Sequence, residues 1–340
     1  MKKIIFILMI SVCFFLVCSA TLTDERGKKE TNSSSQNPSL LSKQLIVAAA
    51  TATPAPTPTA KCLRKIAYVS TGEQDIFEIM VMNSNGTDIR NISNNPSDDY
   101  HPTFSPDGKQ IAFVSTRENF RSSVFIMNAD GTGAVRLTLD LGYSRSPAWS
   151  PDGKQIAFVF EDSIQSDIYL INVDGTGLRR LTNNSQLNDY PAWSPDGKKI
   201  AFVSTVLEKN QYLLLDDIYT MNVDGTNVRK ITNSHKGDYS PAWSPDGKKI
   251  AFTSKRLGNN DIFVMNVDGT KVQQLTINSP SEDSSPAWSP DGSQIAFDSD
   301  RDNQFGEIFL MDANGKNVVR LTTSTEQHLN NSPVWSTICN

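Results

Sequence analysis

The sequence has few of the residues on which metal and thiol chemistry depends. Its 340 residues include 3 histidines and 4 cysteines. Basic residues are also in the minority, since 37 acidic residues face 32 lysines and arginines and the formal net charge is -5. This balance argues against a protein that binds nucleic acid by neutralising its phosphates. We therefore predict no cofactor, no metal and no nucleic-acid partner.

Long apolar runs are lacking as well. The longest, residues 4–17, is shorter than the about 20 residues that a membrane-spanning helix needs. It follows two lysines and precedes Cys18-Ser19-Ala20, a pattern typical of an export signal cleaved after Ala20. Lipid attachment at Cys18 and retention as a membrane anchor remain open. We expect a periplasmic, cell-surface or secreted protein that contacts a membrane only through such an anchor.

Residues 21–61 have the composition of a stalk. They are rich in serine and asparagine at first, and alternate threonine with proline from Thr53 to Thr59. Proline at this density blocks helix and sheet and favours extended polyproline. We therefore predict a disordered Ser/Thr/Pro-rich tether between the signal at residues 1–20 and a globular domain at residues 62–340.

The globular domain is built from an internal repeat. The phrase Pro-Ala-Trp-Ser-Pro-Asp-Gly-Lys-x-Ile-Ala-Phe begins at Pro147, Pro191 and Pro241, with close variants at Pro102 and Pro286. The isoleucine of this phrase, or its counterpart, recurs every 44 to 50 residues, at Ile66, Ile111, Ile156, Ile200, Ile250 and Ile295. All five tryptophans, Trp149, Trp193, Trp243, Trp288 and Trp335, occupy one repeat position. This regularity predicts one packing role that is repeated around the molecule.

Each unit contains four short β-strand patterns, which we number first to fourth. In the unit that starts at Ser146 they are Ser-Pro-Ala-Trp-Ser, Gln-Ile-Ala-Phe-Val-Phe, Asp-Ile-Tyr-Leu-Ile-Asn and Leu-Arg-Arg-Leu-Thr. Ser-Pro-Asp-Gly and Asn-x-Asp-Gly-Thr are hairpin turns between them. A period near 45 residues with four strands is typical of a β-propeller. The sequence thus predicts an all-β, six-bladed propeller of four-stranded blades.

The repeats resemble those of the TolB-like six-bladed propeller family. The resemblance rests on the Trp-Ser-Pro-Asp-Gly-Lys-x-Ile-Ala-Phe copies, each followed by Ile-Tyr/Phe-x-Met-Asn-x-Asp-Gly-Thr and Arg-x-Leu-Thr, and it spans residues 65–340. It implies a periplasmic binding role beside the Tol-Pal envelope system. TolB itself has an α/β domain ahead of its propeller where this sequence has the stalk, so we expect a relative of TolB rather than TolB.

The two ends of the domain predict how the ring closes. The first unit begins at its second strand with Ile66, and the chain ends in an unpaired first strand that contains Trp335. We therefore expect these segments to complete one blade in a monomer. Alignment of this blade with the unit around Trp149 brings Cys62 and Cys339 to neighbouring turn positions, which predicts a disulfide between them in an exported protein.

The loops at one end of the propeller are the predicted ligand-binding face. The fourth-to-first connections carry eight acids, Asp98, Asp99, Asp140, Asp189, Asp238, Glu282, Asp283 and Glu326, against Arg145 and Lys236. Acids around a pore mouth favour a basic partner. Tyrosine and arginine, which are favoured interface anchors, occur just before the first strands. The predicted binding residues are Asp99, Tyr100, His101, Arg145, Asp189, Tyr190, Asp238, Tyr239, Asp283 and Asn331.

Two functions are compatible with this face. The first is a non-enzymatic extracytoplasmic scaffold that binds a protein, basic or envelope-associated, through its acidic loops. The alternative is a metal-assisted carbohydrate-active enzyme, similar to oligogalacturonate lyases, with His101, His235 and His328 near the pore mouth. No Gly-x-Ser-x-Gly motif is present, which excludes the hydrolase that accompanies propellers in prolyl peptidases. We expect no catalysis.

Overall fold

The computed structural model describes the repeat region with short gaps. The described residues are 63–71, 75–118, 121–138, 142–162, 165–184, 186–207, 214–277, 280–302, 305–324 and 328–339. The predicted signal, the predicted stalk and Cys62 lie outside them. No helix among the described residues is long and apolar enough to cross a membrane.

The described residues form 24 strands, which we assign to six units. Unit 1 comprises β24 (Asn330–Cys339), β1 (Arg64–Thr71), β2 (Phe77–Asn83) and β3 (Arg90–Asn91). Unit 2 comprises β4 (Asp99–Phe104), β5 (Gln110–Ser115), β6 (Ser123–Asn128) and β7 (Val135–Arg136). Unit 3 comprises β8 (Tyr143–Trp149), β9 (Gln155–Glu161), β10 (Ser166–Asn172) and β11 (Arg179–Arg180).

The other three units repeat this order. Unit 4 comprises β12 (Leu187–Trp193), β13 (Lys199–Leu207), β14 (Leu214–Asn222) and β15 (Arg229–Lys230). Unit 5 comprises β16 (Asp238–Trp243), β17 (Lys249–Ser254), β18 (Asp261–Asn266) and β19 (Gln273–Gln274). Unit 6 comprises β20 (Asp283–Trp288), β21 (Gln294–Ser299), β22 (Glu307–Asp312) and β23 (Val319–Arg320).

Strands within a unit pair antiparallel in chain order, as in a propeller blade. Units 1, 2, 5 and 6 are separate four-stranded sheets, whereas units 3 and 4 share one sheet through a single parallel bridge between Ser166 and Leu187. In unit 1, β24 pairs with β1 and places Trp335 opposite Ile66. The first and last described strands therefore belong to the same sheet. The prediction of an all-β propeller is confirmed.

The core lies between neighbouring units. In β5, Ile111, Ala112, Phe113 and Val114 are all fully buried, as expected for a strand that is covered on both faces. Phe113 packs in one cluster with Ala67 of unit 1, and every other unit contributes to a similar cluster with its neighbour. No unit can bury its apolar faces alone, which explains why the pattern repeats.

The tryptophans join successive units. The indole Nε1 of Trp193 donates to the carbonyl oxygen of Ala148 in the preceding unit at 3.1 Å. Trp243 makes the same bond to Ala192, and Trp335 bonds to Ala287 across the chain ends. One packing role is thus performed repeatedly, as the tryptophan spacing predicted.

The two repeated turns are hairpin turns, as predicted. In Asn-x-Asp-Gly-Thr, the Thr226 amide donates to Asp224 Oδ1 at 2.9 Å, and Asn222 Nδ2 donates to Thr226 Oγ1 at 3.0 Å. Gly225 has a φ of 86°, and a Cβ there would lie 2.7 Å from the Leu181 carbonyl oxygen of unit 3. Glycine is therefore required both by the turn and by the close approach of the neighbouring unit.

Candidate binding site at the channel mouth

Each first strand contains a β-bulge just before its proline. The ladder register shifts between Tyr100 and Thr103 in unit 2 and at the same place in units 3 to 6. The residue before the proline is left-handed in all six units, with φ between 49° and 53°, namely His101, Ser146, Tyr190, Ser240, Ser285 and Ser332. Residues other than glycine rarely adopt this conformation. The bulge is therefore a built-in feature of the repeat.

Two units carry a large ring at this left-handed position. Units 1, 3, 5 and 6 have serine, whereas unit 2 has His101 and unit 4 has Tyr190. The two rings approach edge to face, with centroids 6.0 Å apart, and the Tyr100 ring lies 5.2 Å from His101. Edge-to-face contact is a favoured aromatic geometry. Tyr190 lies one residue nearer to its proline than Tyr100 and Tyr239 do, because Asp189 holds their position in unit 4.

The left-handed residues surround a central cavity of about 530 Å³. Its wall repeats the first strands: every unit contributes a proline and the residue that follows it, and all units except unit 2 add a tryptophan. His101 and Tyr190 belong to the same wall. The cavity is a channel that is apolar along its length and has two polar rings at the left-handed end. Such a cavity with a few polar groups is typical of binding sites.

Arg145 is compensated by two carboxylates. Its Nε donates to Asp189 Oδ2 at 3.0 Å, and its Nη1 pairs with Glu161. The Ser146 hydroxyl donates to Asp189 Oδ1 at 2.8 Å. Burial opposes the charged form of Arg145, but Asp189 and Glu161 outweigh burial and raise its pKa. The guanidinium is thus held inside the protein and is not a free cation at the mouth.

His101 is neutral near pH 7. Burial lowers its pKa, and the Arg145 charge lowers it further, although Asp189 opposes them. Its Nδ1 atom is buried and makes no hydrogen bond within the described part of the chain. Tyr190 remains 37% exposed, and burial together with the nearby Asp189 charge raises its pKa. Neither ring carries a charge at neutral pH.

Three of the residues predicted for the ligand-binding face are buried and not exposed on it. Asp99, Asp238 and Asp283 are 0% exposed and form ion pairs with Arg117, Arg256 and Arg301 at 2.8, 3.0 and 2.8 Å. Each arginine also lies over two phenylalanine rings at 4.9 to 5.2 Å. Burial raises the pKa of Asp99 to about 6, although Ser115 and Arg117 stabilise its charge. Each carboxylate joins the first strand of its unit to the segment after the second strand of the same unit, and it offers no charge to a ligand.

Tyr239 and Asn331 lie beside the bulges of units 5 and 1. Burial and a hydrogen bond to Asp216 raise the pKa of the Tyr239 hydroxyl. Asp216 also accepts a hydrogen bond from Thr205 at the extended end of the β13–β14 hairpin. Asn331 is half-buried and faces Val69 in the β1–β24 ladder. Leu214 and Leu215 begin β14.

Sequence reasoning missed Asp298. It lies on β21 at the position held by Val69, Val114, Val159, Val203 and Thr253 in the other units. Its Oδ1 accepts the Ser332 amide at 3.1 Å, as Thr253 Oγ1 accepts the Ser285 amide at 3.1 Å. Burial raises the pKa of Asp298 to about 6. Alignment of the six Ile-Ala-Phe-x segments would have identified it as the one acid at this position.

The described residues contain no arrangement of side chains that supports the metal-site alternative. Within them, no three histidine, cysteine, aspartate or glutamate side chains are grouped so that they could hold a metal ion. His235 is exposed in the connection before β16. The predicted disulfide stays a prediction, because Cys62 lies outside the described residues, although the β1–β24 ladder places Arg64 opposite Cys339.

Comparison with known proteins places this fold among propellers. The TolB beta propeller domain family matches residues 140–239, 205–282 and 234–338, more than half of the chain. TolB from Acinetobacter baumannii is similar at 24% identity and a TM-score of 0.67, over 80% of this chain and 66% of that one. The chain thus spans just under two thirds of that protein's length.

Two further structures are similar. A putative TolB from Agrobacterium tumefaciens has 24% identity and a TM-score of 0.62, over 81% of this chain and 99% of that one. A chain of a nidogen/laminin complex has 13% identity and a TM-score of 0.62, over 81% and 100%. No curated protein matches this sequence. With the repeats, the strand order and the family match in agreement, the chain belongs to the TolB beta propeller domain family.

Proposed function

We propose that this protein is a non-enzymatic binding scaffold outside the cytoplasm, which captures a protein partner at the channel mouth. The observation that carries the proposal is the pair of rings, His101 and Tyr190, at left-handed positions that hold serine in the other four units. A large side chain on a costly backbone at the end of an apolar channel favours a binding role over packing. The partner is a basic or envelope-associated protein, and no cofactor is involved.

The scaffold is a closed six-bladed ring. Two observations support a closed ring: the described strands divide into six groups of four, and β24 pairs with β1. A closed ring fixes the positions of the mouth residues, so that they are organised before a partner arrives. Such pre-organisation suits a binding protein.

Exposed apolar side chains extend the mouth across units 3 and 4. Tyr143 and Leu187 begin β8 and β12 and are 52% and 42% exposed. Tyr190 follows Leu187 on the same strand. Aromatic residues with a polar tip are favoured anchors in protein interfaces. The expected footprint therefore covers units 3 and 4 and the channel opening.

Export is supported by the sequence ahead of the propeller. The basic start, the apolar run and Cys18-Ser19-Ala20 form the pattern of a secretory signal. The threonine- and proline-rich residues that follow would hold the propeller away from a cell envelope as a tether. Both features lie outside the described residues and lead us to place the protein in the periplasm, on the cell surface or in the medium.

Capture by matched variants tests this function. The double variant His101→Ser, Tyr190→Ser gives both positions the residue of the other units and is expected to fold. The control is Val228→Ser, at an exposed site beside β15 on the outer rim. A partner enriched from envelope extract by the wild type and the control, but not by the double variant, supports the proposal. Equal enrichment by all three proteins would overturn it.

A further inference from the structure

Beside the channel mouth lie two carboxylates that have no cation partner among the described residues. Asp298 and Asp216 form no ion pair with a lysine or arginine of the described residues, unlike Asp99 and Asp189. Asp298 accepts from the Ser332 amide and from Ser285, and neither donor is charged. Its five counterparts are almost wholly buried, whereas Asp298 is half-buried. A carboxylate that replaces valine at such a site needs a compensating charge.

The rings add to this set. The Nδ1 of His101 is buried without a partner among the described residues, and it accepts or donates a hydrogen bond according to which ring nitrogen carries the proton. The faces of Tyr100 and Tyr190 attract cations through their quadrupoles. Asp298 accepts the amide of Ser332, which lines the cavity together with Tyr190, and the charges of Asp298 and Asp216 both raise the pKa of Tyr190. Arg145, the one cation that also acts on Tyr190, is held by Asp189 and Glu161.

The channel behind these groups suits an aliphatic stem. Its wall consists of proline rings, small residues and tryptophans, and its volume is about 530 Å³. A polar or doubly charged ligand would lose hydration there without compensation. A short hydrocarbon chain would instead gain from burial.

We propose that the channel mouth binds a primary ammonium group carried on an aliphatic stem. This inference rests on the proposed function and specifies it: the partner inserts a lysine side chain, whose ammonium meets Asp298 and the Tyr190 ring while its methylenes line the channel. Lysine fits better than arginine because its compact ammonium has a flexible four-carbon stem. The amino terminus of a polypeptide chain is also a primary ammonium group. The experiment below distinguishes it from a lysine side chain.

The tryptophans supply a direct reading of channel occupancy. All five tryptophans of the chain line the cavity, so their fluorescence responds to a ligand in it. The probe is N-acetyl-lysine methylamide, titrated into the purified full chain. N-acetyl-norleucine methylamide, which keeps the stem and lacks the ammonium, is the matched probe. We expect a saturable change with the lysine probe and at least tenfold weaker binding of the norleucine probe.

Asp298→Thr tests the assigned carboxylate. Thr253 shows that threonine at this position accepts the amide of the next unit, so the variant keeps this backbone contact while it loses the charge and the Ser285 hydrogen bond. We expect about tenfold weaker binding of the lysine probe. Glu118→Gln, which removes one negative charge from an exposed pair with Arg136, is the control and is expected to bind as the wild type does.

The outcomes separate this inference from the proposed function. Equal binding of the lysine and norleucine probes, or unchanged binding in Asp298→Thr, would overturn the ammonium site even if the double serine variant abolishes partner capture. The same holds if no probe gives a saturable signal. Binding of alanine methylamide with a free amino terminus, together with failure of the lysine probe, would overturn lysine as the inserted group.

Discussion

At the scale of single residues, the repeats act as internal controls for one another. The third strands of units 3, 4 and 6 carry an acid directly before a buried isoleucine, and this acid pairs with a base on the fourth strand, namely Asp167 with Arg180, Asp217 with Lys230 and Glu307 with Arg320. Unit 5 has Asp261 at this position but Gln274 opposite it. Burial raises the pKa of Asp261, although Thr276 and Gln274 hydrogen bonds oppose this. Unit 5 thus lacks an ion pair that its neighbours have.

Gln274→Arg is expected to supply the missing pair. Gln274 Nε2 already donates to the Thr276 carbonyl oxygen at 2.8 Å, the bond that Arg180 Nε makes to Thr182. Arginine therefore keeps this contact and adds a charge beside Asp261. We expect about 1 kcal/mol of added stability and a rise in Tm of about 2 °C, measured by calorimetry. Gln273→Arg, at the exposed neighbouring position, should leave Tm unchanged, and an equal rise in both variants would contradict the pairing.

Glu307 predicts a specific dependence of stability on pH. Burial alone would raise its pKa, but hydrogen bonds from Ser324 and Thr322 and the Arg320 charge lower it to about 2 from the ordinary 4.5. The ionised form therefore stabilises the fold. Its contribution is complete above about pH 4.5 and is lost as the pH falls towards 2. Glu307→Gln should cost roughly 2–3 kcal/mol at pH 7.

Urea unfolding between pH 3 and 7 measures this contribution. The difference in unfolding free energy between the wild type and Glu307→Gln should shrink as the pH falls below 4.5. Because the fully exposed Asp130 belongs to a turn and not to an ion pair, Asp130→Asn serves as the comparison and should lack this large difference. A cost of Glu307→Gln that is the same at every pH would contradict the assignment.

The residue scale also shows where sequence reasoning was limited. The repeated isoleucines, glycines and tryptophans identified the core and turns, because each copy performs one local role. The burial of Asp99 could not be predicted from the repeats, because Arg117, whose charge neutralises the Asp99 carboxylate, lies 18 residues later in the sequence. An acid in a loop-like segment looks exposed unless its distant partner is known. Asp298 was missed because it lies inside a strand pattern that otherwise reads as core.

At the scale of elements, the bulge before each proline determines what the mouth can carry. The bulge gives the first strand an extra residue, and its left-handed backbone turns one side chain per unit towards the channel. Serine meets the steric demand of this conformation in four units, whereas His101 and Tyr190 add rings that the bulge alone does not need. The sequence predicted a first strand that starts at Ser146, whereas β8 begins at Tyr143. The bulge escaped prediction because a residue before proline is normally extended.

Substitutions at Ser240 test the demand of the bulge. Its φ is 49°, where glycine has no steric cost and a β-branched residue has a large one. We expect Ser240→Gly to change the unfolding free energy little and Ser240→Val to lower it by about 2 kcal/mol. Urea denaturation of both variants provides the measurement. If valine were tolerated as well as glycine, the left-handed backbone would not be needed at this position.

At the scale of the whole molecule, stability depends on units that bury their faces only against neighbours. Each hydrophobic cluster joins residues of adjacent units, including one that joins Ile66 of unit 1 to Ile308 of unit 6. A break between any two units would expose two faces at once. The pairing of β24 with β1 is therefore the point at which the chain ends could open the structure. The repeat period made the propeller predictable, and the missing first strand ahead of Ile66 made this pairing predictable too.

The predicted Cys62–Cys339 disulfide would close this point covalently. Cys339 lies opposite Arg64 in the β1–β24 ladder. Arg64 follows Cys62 by two residues in the sequence. A cross-link between the ends of so long a loop lowers the entropy of the unfolded chain and contributes on the order of 5 kcal/mol at most. The protein should therefore melt at a lower temperature after reduction with dithiothreitol, and Cys339→Ser should melt like the reduced wild type with or without reductant. Labelling of both Cys62 and Cys339 by iodoacetamide in the native, unreduced protein would contradict the disulfide.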